Sequence, residues 1–215
     1  MTELGTIAEM AYDHNSYREN RRDSMIQQDA EFIDMSFERM VQMSGEVIPD
    51  LNYTPKILEL GCGAGVPYTQ YLSRYGNLVG CDVSGVQIEH AKQNVPNARF
   101  IQKDVMDLHL RKKYDIIAMF HSFFNVDRMF KPILLRKINY WLSSYGVVII
   151  TTYGDETVIK HKDDFYGMPM TWHHISVSDF EKLVTQAGFS VVDHSERTDN
   201  IGDNETHLWL LEKSI

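Results

Sequence analysis

The nine residues Ile57-Leu58-Glu59-Leu60-Gly61-Cys62-Gly63-Ala64-Gly65 constrain the fold more than any other stretch of the chain. Lys56 to Leu60 reads as a short buried strand that runs into glycines at alternate positions, and Val66 to Leu72 then has the apolar spacing of a helix. Glycine stands where the backbone needs positive φ, or where a ligand comes closer than a Cβ allows. A strand, a glycine turn and a helix start together make a nucleotide site, because open parallel sheets bind ligands in the crevice at the carboxyl ends of their strands.

Spacing narrows the nucleotide. In the dinucleotide fingerprint G-x-G-x-x-G, counted from Gly61, the third glycine would fall at Val66, which is too large for close helix packing. The chain instead reads acid-x-G-x-G-x-G, opened by Glu59 and closed by Gly65. That form resembles motif I of the class I S-adenosylmethionine-dependent methyltransferases. The resemblance implies a Rossmann-like, doubly wound α/β fold, with a seven-stranded, mostly parallel sheet, an antiparallel last strand, helices on both faces and an N-terminal helical lid. It also implies S-adenosylmethionine as the cofactor, with S-adenosylhomocysteine as its product and no metal. By resemblance, Gly61, Cys62, Gly63 and Gly65 let the methionine tail pass and Glu59 supports its ammonium.

Beyond this motif, strands and helices alternate, as in a parallel sheet with right-handed crossovers. Asn77 to Asp82 reads as a strand ending in an acid, followed by a helix from Ser84 to Asn94 that Ser84 caps, with Ile88 and Ala91 facing inward. Asp82 lies 21 residues after Gly61, where a carboxylate accepts from both ribose hydroxyls, with Val83 and Gln87 beside it. A third strand, Arg99 to Lys103, leads to Asp104 and Val105. In the resembled family an acid and an apolar residue here address the adenine; Asp107 is the competing acid.

The fourth strand, Tyr114 to Phe120, is nearly all apolar and opens into the loop His121 to Val126, beside the transferable methyl. The loop lacks the [DNS]-P-P-[YF] run used on exocyclic amines. His121 is either a general base, a group that orients the substrate, or a structural histidine. Asp127 to Leu142 reads as a helix with Ile133, Leu134, Ile138 and Trp141 on its packed face, and Val147 to Tyr153 as a fifth, buried strand. Gly154 to Ile175 reads as a long loop whose aromatic residues cover a substrate pocket between Tyr166 and His174. His173 and His174 point apart in an extended chain and so do not make a metal pair. A helix from Ser178 to Ala187, stopped by Gly188, precedes two strands, Phe189 to Arg197 and His207 to Lys213.

Ahead of the first strand, Met25, Ile26, Ala30, Ile33, Phe37 and Met40 recur at helical intervals. Tyr12 and Tyr17 precede them on a segment that, by resemblance to the family, folds over the cofactor as a lid; an exposed terminus is the alternative. The cofactor contacts are therefore expected at Tyr17, Glu59, Gly61, Cys62, Gly63, Gly65, Asp82, Val83, Gln87, Asp104, Val105 and Phe120. Tyr12, Phe124, Tyr153, Met170 and Trp172 are the expected acceptor wall, and His121 and His173 the candidate bases.

With 215 residues the chain is read as one domain, residues 1–50 forming the lid segment and 51–215 the core. A net charge of −9 argues against bulk nucleic acid as a partner. No apolar run reaches membrane length and the first twenty residues are too polar for a leader, so the expected place is the cytoplasm with no membrane partner. The two cysteines, Cys62 and Cys81, fit a reducing compartment. The expected activity is methyl transfer to a small-molecule acceptor by in-line displacement. A protein or tRNA side group as acceptor, and a non-catalytic S-adenosylmethionine-binding module, remain as alternatives, and the assembly is either monomer or homodimer.

Overall fold

Strand side chains alternate between the two faces of a sheet, and here both faces are apolar. Leu58 and Leu60 point to one buried cluster and Ile57 to the other; Ile117 and Met119 join the first, Ile116, Ala118 and Phe120 the second. In this computed structural model the described residues are 53–154, 156–165, 168–198 and 205–214, together with the helical positions Ala30, Ile33, Asp34 and Glu38. Tyr12, Tyr17 and Tyr166 lie outside them, as does most of the expected lid segment.

The strands of the main sheet are β1 (Lys56–Leu60), β2 (Asn77–Asp82), β3 (Arg99–Gln102), β4 (Tyr114–Met119), β5 (Leu142–Tyr153), β8 (Phe189–Thr198) and β9 (Glu205–Lys213). They lie in the order β3-β2-β1-β4-β5-β9-β8. β1 to β5 are mutually parallel, and β9 runs antiparallel to both of its neighbours, β5 and β8. The seven-stranded sheet with one reversed strand is the expected one. The direction of winding changes between β1 and β4, where a doubly wound sheet opens its crevice.

Among the described residues four complete helices cover the sheet: α1 (Tyr68–Leu72), α2 (Gly85–Asn94), α3 (Lys131–Trp141) and α4 (Val177–Gln186). α3 and α4 supply Leu134, Leu135, Ile138, Trp141, Phe180 and Val184 to one face. α1 supplies Tyr68 and Leu72 to the other, joined there by Ile33. The hydroxyls of Tyr71 and Tyr75 both donate to Asp34, which ties the N-terminal helical positions to the chain after the glycine loop. Ser84 caps α2 by accepting from Gln87 N at 3.0 Å, as expected.

Three expectations are corrected. The stretch from Gly154 to Ile175 is not one long loop: β6 (Ile159–Phe165) pairs antiparallel with β7 (Met168–His173) as a separate ribbon. Residues 159–164 of β6 are exposed on both faces, so no alternation marks it and only cross-strand pairing makes it a strand. Second, α3 begins at Lys131 rather than Asp127, because the Asp127 carboxylate accepts from Met129 N and folds the chain into a turn first. That shifts the packed face, leaving Ile133 exposed and Leu135 buried. Third, β5 starts at Leu142, ahead of the expected Val147, and carries Tyr145 and Gly146 within its irregular beginning.

Candidate active site

The glycine loop leaves β1 with Gly61, Gly63 and Gly65 all at positive φ (76°, 53° and 81°). Gly61 N and Cys62 N both donate to Cys81 O, so the loop stays attached to β2 as it turns. Two of the glycines do different work. A Cβ on Gly65 would sit 3.1 Å from Ala91 Cα and 3.2 Å from Val95, so Gly65 lets α2 press against the loop. A Cβ on Gly63 would meet nothing nearer than Gln87 Oε1 at 4.0 Å, so Gly63 keeps open the crevice itself.

Asp82, at the end of β2, fixes the shape of this crevice. Its Oδ2 accepts from Gly63 N at 2.8 Å and its Oδ1 from Ser84 N at 2.9 Å. Val83 is half-buried next to it and Gln87 is buried below the loop. Farther along the same edge Asp104 accepts from Met106 N at 2.9 Å and caps the single turn Val105–Asp107. Cys62 is buried, and its sulfur approaches Gly80. Burial pushes its thiol pKa well up, so it packs as a small apolar group.

Glu59 is the least comfortable group in the site. It is 2% exposed, and among the described residues its Oε2 has no hydrogen-bond partner. Burial, opposed in part by a hydrogen bond with Thr69 and assisted by the nearby Asp82 charge, raises its pKa to about 8. A buried carboxyl with an unused oxygen beside an open loop is suited to a cation.

The fourth strand ends in a second arrangement. His121 has φ 45°, a conformation non-glycine residues seldom adopt, and this turns its ring between two tyrosines. Its Nε2 is 2.8 Å from the Tyr68 hydroxyl and its Nδ1 2.6 Å from the Tyr153 hydroxyl. A neutral imidazole donates from one nitrogen and accepts at the other, so one tyrosine donates to His121 and the other accepts from it. Tyr68 is held by stacking on Phe120, with centroids 4.2 Å apart and planes 10° from parallel. Tyr153 is held edge-on by Phe124 at 4.9 Å. The neighbouring Ser122 donates to Leu60 O at 2.8 Å and joins the end of β4 to that of β1.

The structure brings Glu59, the three glycines, Asp82, Asp104, Phe120, His121 and Tyr153 to one edge of the sheet. Met170 and His173 are buried on β7, which packs against the turn Phe123–Asn125, while Trp172 on the same strand is half-buried. The reading from sequence missed Tyr68 and Lys131. Tyr68 looks like any apolar-face residue of the helix after the glycines. Lys131 did leave a signal: a lysine in the first turn of a helix opposes the helix dipole and needs another reason to be there.

An open sheet ordered β3-β2-β1-β4-β5-β9-β8, with an acid-led glycine loop at its switch point, is the fold of the class I S-adenosylmethionine-dependent methyltransferases. Residues 57–146 match the family profile described as a methyltransferase domain. Malonyl-(acyl-carrier protein) O-methyltransferase 2 of Ilyobacter polytropus is 25% identical over 154 residues, which cover 67% of this chain and 59% of that relative's length. Among solved structures, the N-methyltransferase NodS of Bradyrhizobium japonicum, with S-adenosyl-L-homocysteine, superposes with a TM-score of 0.72 at 14% identity over 99% of both chains. Magnesium protoporphyrin IX methyltransferase of Synechocystis, with bound S-adenosylmethionine, gives 0.67 at 13% identity, covering 100% of this chain and 99% of its own. Both structural likenesses establish the fold.

Proposed function

We propose that this protein transfers a methyl group from S-adenosylmethionine to an oxygen or nitrogen nucleophile of a small molecule. The observation that carries this reading is the chain Tyr68–His121–Tyr153, set beside the glycine loop at the crevice. The name of the Ilyobacter relative, an O-methyltransferase, supports an oxygen acceptor.

The residues fit such a donor. Glu59 Oε2 is unpartnered among the described residues and suits an ammonium, the space beyond Gly63 suits a chain passing close to backbone, and Asp82 stands at the tip of β2, where an acid suits ribose hydroxyls. Bound S-adenosylmethionine supplies a methyl group already activated by a positive sulfonium. What remains for the protein is to align the acceptor with that methyl, keep water out and take up the acceptor's proton. In this reading Gly61, Cys62, Gly63 and Gly65 pass the methionine tail, with Val83 and Gln87 beside the ribose. Asp104 and Val105 address the adenine, and Phe120 lies by the sulfonium. The acceptor's proton passes to the tyrosine hydroxyl that donates to His121 while that hydroxyl's own proton moves onto the ring, so His121 is the base at the end of a relay. Tyr68 and Tyr153 fix its ring between them, while Phe124, Met170 and Trp172 shape the acceptor wall with His173.

A turnover assay tests it directly: the full chain, S-adenosylmethionine and a library of phenols, hydroxy acids, carboxylic acids and amines, read as S-adenosylhomocysteine formed. Product that depends on the acceptor and falls in His121→Asn is the expected result. Donor binding with no product from any acceptor would make the protein a binding module.

A further inference from the structure

We propose that Lys131, His173 and His174 form a subsite for a carboxylate carried by the methyl acceptor, a reading that rests on the function proposed above. Lys131 is fully buried at the start of α3. Among the described residues its ammonium has one acceptor, Phe123 O at 2.5 Å, and it lies 4.2 Å from the centre of the Phe123 ring. An ammonium has three donors, so two are left over. His173 and His174 are both buried, 6% and 7% exposed. Among the described residues neither ring nitrogen of His173 and not Nδ1 of His174 has a hydrogen-bond partner. Buried polar atoms are nearly always paired, and an unmade pairing costs about 1–3 kcal/mol. The turn Phe123–Asn125, whose first carbonyl holds Lys131, packs against the strand that ends in His173, so unpaired nitrogens gather on one side of the fold and call for an oxygen-rich partner.

The surrounding charge has the matching sign. Burial is the main cause of the depressed basicity of all three groups, and the charge of Lys131 lowers both imidazoles further. Arg128 acts on His173 in the same sense and Lys160 on His174. The opposing charge is Asp127, whose carboxylate accepts from Met129 N and makes no bond to Lys131. In a chain of net charge −9, the basic groups Lys131, Arg128 and Lys160 thus outnumber the one carboxylate, Asp127, that acts on these imidazoles. Clefts of one sign concentrate ligands of the other. The subsite also adjoins the reacting end: the His174 ring is 6.0 Å from that of Tyr153, whose hydroxyl meets His121. A carboxylate held here places the rest of a small acceptor along Tyr153 towards His121.

Calorimetry on the full chain, with and without S-adenosylhomocysteine, tests this using benzoate and malonate as probes and benzamide and malonamide as neutral controls. The expected result is saturable binding of the carboxylates, none of the amides, and affinity at least about tenfold weaker in Lys131→Met. His173→Gln is measured alongside, so that a folding defect in either variant still leaves a reading. Equal binding of the amides, no carboxylate binding by the unaltered chain, or full carboxylate affinity in the variants would overturn the subsite. The heat of S-adenosylhomocysteine binding reports separately: its absence with carboxylate binding intact would sink the donor reading and leave the subsite standing.

Discussion

The Nδ1 atom of His121 and the hydroxyl of Tyr153 lie 2.6 Å apart, although 32 residues separate them in the chain. Together with Tyr68 on the far side, this contact holds the imidazole in one orientation at a backbone φ of 45°. His121→Asn is expected to keep the backbone, since asparagine tolerates this conformation, and to lower turnover roughly 10²-fold or more. His121→Val adds strain of about 1–3 kcal/mol and lowers the melting temperature as well. Tyr68→Phe and Tyr153→Phe are expected to shift the pH profile of kcat while leaving donor affinity unchanged, which a purely structural role would not do.

A Glu59 that receives the donor's ammonium, as proposed, would make donor binding a proton-release event. With its pKa raised to about 8 in the free protein, it is protonated at pH 7, and an arriving ammonium favours the ionised form. Calorimetry at pH 7 in buffers of different ionisation enthalpy should register protons released on binding, absent in Glu59→Gln. The sign for stability follows from the same shift. The folded state holds a proton that the unfolded state gives up above 4.5, so stability is complete below that pH and is lost as pH rises to about 8. Glu59→Gln should flatten that slope in thermal melts.

The glycines separate binding from folding. Gly63→Ala places a methyl in open space at φ 53°, so stability falls by only about 1–2 kcal/mol while donor affinity drops at least about tenfold. Gly65→Ala presses on Ala91 Cα at 3.1 Å and on Val95, so it costs stability first, about 2 kcal/mol or more. Melting curves and donor titrations of the two variants should rank in opposite orders.

Acid should unfold the protein through its buried imidazoles. Burial lowers the pKa of His173, His174 and His194, and that of His174 falls to about 4. The unfolded chain then binds more protons below 6.5, so their contribution is complete above that pH and is lost as pH falls, for His174 towards about 4. His174→Gln should show a shallower loss of melting temperature between pH 7 and pH 5 than the unaltered chain.

The glycine loop, Asp82 and the runs of β1, β2 and β4 were legible because their signals are local. A buried strand must be apolar, a turn of positive φ favours glycine, and a helix start favours Ser84; none of these depends on distant residues. The ribbon β6–β7 was not legible, since its exposed, charged first strand owes its form to pairing with Met168–His173. The start of α3 was missed because one side chain, that of Asp127, takes a backbone N–H for itself.

Sequence alone therefore determined the class of the fold and the loop expected to receive the donor, as properties of contiguous residues under fixed backbone geometry. Tertiary structure decided what meets across the chain: Tyr68 and Tyr153 on either side of His121, and Lys131 near two histidines about forty positions later. Such pairings depend on strand order and on which face each residue occupies, and a long-range contact leaves no mark on the spacing of neighbours along the chain.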